Sequence, residues 1–128
     1  MAGETIPLEK SLSAIETTVA TIGGKWKPVL MFHLLSGAKR FSELQKLMPG
    51  ASDRMLARSL RELENDAILR REVFTSAPVR VEYSLTKDGM SLIPVLNVMS
   101  EWGQARNGSD ETIEPTSVFD ALLPTFGG

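Results

Sequence analysis

The chain has 128 residues, 42% hydrophobic and 23% charged, with a formal net charge of −2, which fits one globular domain with a modest core. It contains no cysteine, which excludes disulfides, thiol redox chemistry and thiolate metal sites. No apolar run approaches the ~20 residues that cross a bilayer, and MAGETIPLEK lacks the basic-then-apolar order of a secretory signal, so a cytoplasmic protein with no membrane partner is expected.

Leu8, Leu12, Ile15, Val19 and Ile22 alternate spacings of four and three, which predicts an amphipathic helix over 8–22. Gly23 and Gly24 stop it, since glycine tolerates a left-handed C-terminal conformation. A second helix is expected over 25–36, with Pro28 in its first turn, where the missing N–H is least harmful, and Gly37 at its end. KRF (39–41) reads as a short extended link, and Ser42 as the N-cap of a brief third helix closed by PGA (49–51). Ser52 is the next N-cap, opening a helix over 53–66 with Asp53 at the positive end of its dipole.

AILRREVFT (67–75) and VRVEYSL (79–85) then read as two strands joined through SAP. In the second, Val79, Val81, Tyr83 and Leu85 alternate with Arg80, Glu82 and Ser84, giving one buried and one wet face, with Arg80 expected out in solvent. Thr86 caps a last helix over 87–105, in which Pro94 should introduce a kink or split off the first turn. From Asn107 onward the chain reads as an acidic tail, and TSVFDALL (116–123) is compatible with one further short helix at a dimer interface. The domain expected is therefore 1–106, with 107–128 as the tail. This order of elements describes a mainly α fold with a small β-hairpin wing, a winged helix-turn-helix.

The charge is unevenly distributed. Residues 37–80 hold nine bases (Lys39, Arg40, Lys46, Arg54, Arg58, Arg61, Arg70, Arg71, Arg80) against six acids (Glu43, Asp53, Glu62, Glu64, Asp66, Glu72). The tail carries Asp110, Glu111, Glu114 and Asp120 with no base, so the middle is basic and the end acidic. Within helix 53–66, Leu56, Leu60 and Leu63 share one face, and Arg54, Arg58, Arg61 and Asn65 project from the opposite one. Such a helix can enter a major groove and place guanidiniums on guanine edges or phosphates. On its own the pattern is equally that of a solvated helix with i,i+4 pairs such as Arg58–Glu62. The hairpin beside it favours the nucleic-acid reading, because a wing arginine can reach a phosphate or a minor groove.

IGGKWK (22–27), RFSELQKLMPGASDRMLARSLRELENDAIL (40–69), PVRVEYSLT (78–86) and EWG (101–103) together resemble the HxlR family of MarR-like winged-helix transcriptional regulators, in register from about residue 12 to residue 103. The resemblance implies a homodimer that binds pseudo-palindromic operator DNA and dimerises through its N- and C-terminal helices. It places the recognition helix at Ser52, with Arg54, Met55, Arg58 and Arg61 exposed, and Arg80 at the wing arginine. Lys39 and Arg40 fall at the lead-in, where backbone contacts are expected, and Lys25 falls at a basic position of the family's GGKW stretch. Many members carry a sensing cysteine in a CPVE-like stretch of the first helix. Here that stretch reads SAIE, with Ser13 in its place, and serine forms neither disulfides nor adducts under those conditions. Either this chain senses something else, with its small-molecule effector unknown, or the serine replaces an original cysteine.

His33 is the only histidine and lacks neighbouring carboxylates in sequence, so a structural role outweighs a metal site. The six methionines read mainly as core gap-fillers rather than as an adaptable ligand pocket. Trp26 and Trp102 read as anchors of the core or of the dimer interface, with stacking on a planar ligand as the alternative. No phosphate loop, Ser/His/Asp set or paired-carboxylate spacing stands out, so no enzyme activity, cofactor or metal is expected. The function expected is a sequence-specific DNA-binding regulator. A winged-helix protein–protein module, or a small-molecule binder without DNA affinity, is the alternative.

Overall fold

In the computed structural model, which describes residues 6–108, the chain runs α1 (Leu8–Ile22), α2 (Lys27–His33), α3 (Phe41–Leu47), α4 (Asp53–Asn65), β1 (Leu69–Phe74), β2 (Arg80–Leu85), α5 (Lys87–Met90) and α6 (Ile93–Arg106). The tail and its expected helix at 116–123 lie outside the described residues.

Helix α1 begins after Pro7 and ends where the Gly23 N–H donates to the Val19 carbonyl at 2.6 Å. Gly23 is itself extended, with Gly24 taking the left-handed conformation at φ +85°. Gly23 is needed for a different reason from the one expected: a Cβ there would overlap the Val19 carbonyl. Helix α2 is shorter than the expected 25–36. Lys25 and Trp26 form the turn before it, the Lys25 ammonium lying 4.8 Å from the Trp26 ring centroid. At its far end Leu34 and Leu35 tighten to i→i−3 bonds with Met31 and Phe32, so the last turn is no longer α-helical.

Lys39 pairs with Tyr83 through reciprocal backbone bonds of 2.9 and 2.8 Å, which adds the lead-in to the edge of the hairpin. The N-cap of α3 is Arg40, two residues before the expected Ser42. The Glu43 carboxylate reaches back to accept the Arg40 N–H at 2.7 Å and starts the helix earlier. The Ser52 cap is as expected, its hydroxyl accepting the Met55 N–H at 3.1 Å.

Helix α4 ends in a Schellman turn: the Ile68 N–H donates to Leu63 O at 2.9 Å and the Ala67 N–H to Glu64 O at 2.9 Å. The residue in the left-handed position is Ala67, at φ +61°, where glycine is the usual occupant. Beyond it β1 and β2 pair antiparallel, from Leu69 opposite Leu85 to Phe74 opposite Arg80. The Thr86 hydroxyl accepts the Gly89 N–H at 3.0 Å and donates back to the carbonyls that leave α4. Gly89 lets α5 approach, since a Cβ there would overlap the Ile68 carbonyl. Pro94 takes the second of its two expected effects: it sits in the first turn of α6, with α5 split off as a separate turn.

The core is built from Leu30, Met31, Leu34 and Leu35 of the α2 region, Leu44 and Met48 around α3, Leu56, Leu60 and Leu63 of α4, and Ile68, Leu69 and Leu96. Helix α1 contributes only Ile22; Leu8, Leu12, Ile15 and Val19 are 54–72% exposed. On α6, Leu92 and Val95 pack against the core of their own chain, whereas Val98, Met99 and Trp102 face outward.

The left-handed Ala67 supplies a test with an unusual sign. Ala67→Gly removes the Cβ strain of that conformation and should raise stability by about 1 kcal/mol, measured by urea unfolding at fixed protein concentration. Unchanged or lower stability would mean that the turn is not strained.

Candidate nucleic-acid interface

The buried Leu56–Leu60–Leu63 stripe sets the rotation of α4 about its axis, and Arg54, Arg58, Arg61 and Asn65 are accordingly exposed on its outer side. A groove of about 460 Å³ runs along this side, lined by Arg54, Ala57, Arg58, Arg61, Glu62 and Asn65. Met55 is 39% exposed near the start of the helix. The Ser52 hydroxyl is occupied by its capping bond, and Gln45 Nε2 donates to Asp53 Oδ1 at 2.6 Å, tying α3 to the first turn of α4.

The arginines differ in their commitments. Arg58 Nε donates to Glu62 Oε2 at 3.1 Å, and the Lys27 ammonium holds the other carboxylate oxygen at 2.9 Å. The Lys27 hydrogen bond, and next the Arg58 bond, hold the Glu62 carboxyl below its ordinary pKa. Arg54 and Arg61 make no ion pair among the described residues.

Arg80 departs from its expected position. It is not held out into solvent: its side chain is 27% exposed, and its Nε donates to Glu82 Oε2 at 2.9 Å. Its guanidinium lies 4.2 Å from the ring centroid of Phe74. The register explains this, because Phe74 sits directly opposite Arg80 and Glu82 follows two residues on along the same face. Arg40 is exposed at the N-cap of α3. Lys39 is half-buried, with its ammonium donating to Ser36 Oγ at 3.1 Å and its backbone bound to Tyr83.

Arg71 was missed by sequence reasoning. It stands directly opposite Tyr83, on the hairpin face shared with Leu69, Val73, Val81 and Leu85. With Ala57, Leu60, Arg61, Glu64 and Tyr83 it lines a notch of about 200 Å³ between α4 and the hairpin. The signal was present in LRREV, where alternation puts Arg71 on an otherwise apolar face.

The lone His33 packs edge-on against Phe32, ring centroids 5.5 Å apart. Burial, and then the charge of Lys39, hold its pKa below the ordinary value. Among the described residues no cluster of His, Asp and Glu could hold a metal, and no helix is long and apolar enough to cross a membrane.

An exposed basic helix preceded by a short helix and turn, and flanked by a hairpin, is the helix-turn-helix-plus-wing arrangement of a DNA-binding module. The comparisons agree. Residues 21–111 match the HxlR-like helix-turn-helix family, and the chain belongs to it. It is 51% identical over 90 residues to the HTH-type transcriptional regulator YdeP of Bacillus subtilis, covering 70% of each chain. It is 41% identical over 110 residues to an HTH-type transcriptional regulator of Methanothermobacter thermautotrophicus, covering 86% of this chain and 84% of that one. Among solved structures, the redox regulator HypR in its oxidised form superposes with a TM-score of 0.69 at 44% identity, covering 78% of this chain and 99% of that one.

The Glu62 cluster predicts a pH dependence. A carboxyl whose folded pKa is depressed contributes stability above its unfolded pKa and loses it as pH falls through the folded value. Glu62→Gln should therefore lower stability at about pH 7, and the gap from the native chain should close as the pH falls through and below the ordinary carboxylate range. Denaturant titrations across that range check it. A gap independent of pH would show that the carboxylate charge is not involved.

Proposed function

We propose that the protein is a sequence-specific DNA-binding transcriptional regulator that acts in the cytoplasm as a homodimer on pseudo-palindromic double-stranded operators. The observation that carries this reading is α4: its leucines lock it into the core and leave Arg54, Arg58 and Arg61 together on the opposite side. In this reading Arg54, Met55, Arg58 and Arg61 face base edges or phosphates in the major groove. Arg40 and Lys39 meet the backbone, and Arg80 serves the wing. Ser52 acts through its cap, presenting the first turn of α4, rather than by a free hydroxyl. Arg58 and Arg80 each exchange a carboxylate partner for DNA. Redox regulators stand among the structural relatives, but this chain has no cysteine. Ser13 occupies an exposed place on α1, so release from DNA proceeds by a route other than a thiol switch.

Phosphate neutralisation releases counterions, so log affinity should fall linearly with log salt, by about 0.9 per phosphate contact. Arg58→Ala should lose about 1–3 kcal/mol on an operator selected from random duplexes and much less on random DNA. Binding independent of salt, or unaltered after Arg54, Arg58, Arg61 and Arg80 are all replaced, removes the reading.

The homodimer rests on apolar side chains left exposed among the described residues, namely Leu8, Leu12, Ile15 and Val19 of α1 and Val98, Met99 and Trp102 of α6. A two-fold dimer would bury both stripes and set two recognition helices about 34 Å apart. Because α1 gives the core only Ile22, Leu12→Lys with Ile15→Lys should yield folded monomers that bind operator poorly. Sedimentation and binding at the same concentration check this. A native chain that is monomeric at micromolar concentration with full operator affinity would overturn the dimer.

A further inference from the structure

We infer that the notch between α4 and the hairpin is a seat for a single DNA backbone phosphate, with Arg71 and Arg61 as its cationic walls and the Tyr83 hydroxyl as an additional donor. The inference rests on the DNA-binding reading and adds to it a residue, Arg71, that neither the helix pattern nor the wing position singled out.

Duplex geometry comes first. If α4 lies in the major groove and the hairpin reaches the adjacent minor groove, the sugar–phosphate strand dividing those grooves must pass between them. The structure has a concavity at that place. Its volume is about 200 Å³, room enough for an anion the size of a phosphodiester group. Ala57 and buried Leu60 belong to the helix side, and the small Ala57 side chain leaves the recess open beside the helix.

Charge comes second. Arg61 enters from α4 and Arg71 from β1, against one carboxylate, Glu64. Arg58 and Arg80 are each bound to a glutamate, yet neither Arg61 nor Arg71 makes an ion pair among the described residues. Both are exposed, so their guanidiniums reach an anion without first giving up a partner. The planar guanidinium fork suits two phosphate oxygens, and a tyrosine hydroxyl is a common donor to a third.

Position comes third. Arg71 and Tyr83 are directly opposed across the hairpin, and the Tyr83 backbone is fixed by its two bonds to Lys39. Two donors on paired strands and one on a helix locked by its leucines therefore converge without a loop between them. A seat on rigid elements fixes the register of the protein on the duplex, as backbone contacts do.

The test uses the full chain and an operator selected from random duplexes. Arg71→Gln should reduce the slope of log affinity against log salt by about 0.9, which is about an eightfold loss at 0.1 M salt relative to 1 M. The loss should be equal on operator and on random duplex, with thermal unfolding unchanged and the slope restored by Arg71→Lys. Single neutral methylphosphonate linkages should then reveal one position per half-site that weakens the native chain clearly more than it weakens Arg71→Gln, whose remaining loss there reflects Arg61 and Tyr83. If Arg71→Gln keeps native affinity and slope while Arg58→Ala loses sequence preference, DNA reading stands and the seat is overturned. If inorganic phosphate shifts the Arg71 and Tyr83 resonances but no methylphosphonate couples to Arg71, the notch is a free-anion site and the inference fails. If the native chain shows no salt-dependent DNA binding, both readings fall together.

Discussion

Leu56, Leu60 and Leu63 are at most 2% exposed, and their seam against α2 and β1 is the constraint on which the proposed function depends. Each residue of a helix turns it by about 100°, so a slip of one position would carry Arg58 or Arg61 off the outer face and bury a charge at large cost. The ends of the helix are held as firmly as its middle. The Ser52 cap and the Gln45–Asp53 bond fix its start, and the Schellman turn at Ala67 fixes its exit. Since that turn leads directly into β1, the hairpin is laid beside the arginine-bearing face. The notch between them follows from the same turn.

The helices and the hairpin were legible in the sequence because their signals are local: alternating spacings for α1, a serine cap and leucine stripe for α4, a period of two for β2. Departures arose where the deciding partner is close in space but was not part of the pattern. Glu43 moved the start of α3 to Arg40, and tightened i→i−3 bonds ended α2 early. The exposure of Arg54, Arg58 and Arg61 could be read from helical periodicity, since only the core determines it. The environment of Arg80 could not, because it depends on the hairpin register that places Phe74 opposite it. Arg71 was missed because it was only counted with Arg70 among the bases of 37–80, although alternation separates the two onto opposite faces.

Charge commitments divide the basic surface into two populations. Arg58 and Arg80 are paired with Glu62 and Glu82, whereas Arg54, Arg61 and Arg71 make no ion pair among the described residues. An exposed pair contributes little stability in water and is screened by salt, so its effect on binding is larger than its effect on folding. Engaging DNA through a paired arginine means replacing a carboxylate by a phosphate or base edge, and only the difference between the two appears as affinity. The unpaired arginines carry no such offset. They suit the sequence-independent part of binding, while the paired ones suit contacts that form only where the geometry of the site compensates.

Assembly and DNA reading meet at one residue. A 15-residue helix such as α1 is marginal in water without packing, and among the described residues it buries only its own Ile22 against the core, so in the proposed dimer its order would come from the partner. In the proposed dimer that partner would also rest on α6, whose direction is set at Thr86. The Thr86 hydroxyl accepts from Gly89 at the start of α5 and donates to the carbonyls that leave α4. Gly89 is pressed so closely on Ile68 that no side chain fits between them. The exit of the recognition helix, the base of the wing and the root of the α5–α6 segment are thus pinned within a few bonds of one another. A two-fold axis placed through α6 would therefore fix the spacing of two recognition helices through rigid contacts, with no flexible linker between the dimer seam and the DNA-facing side.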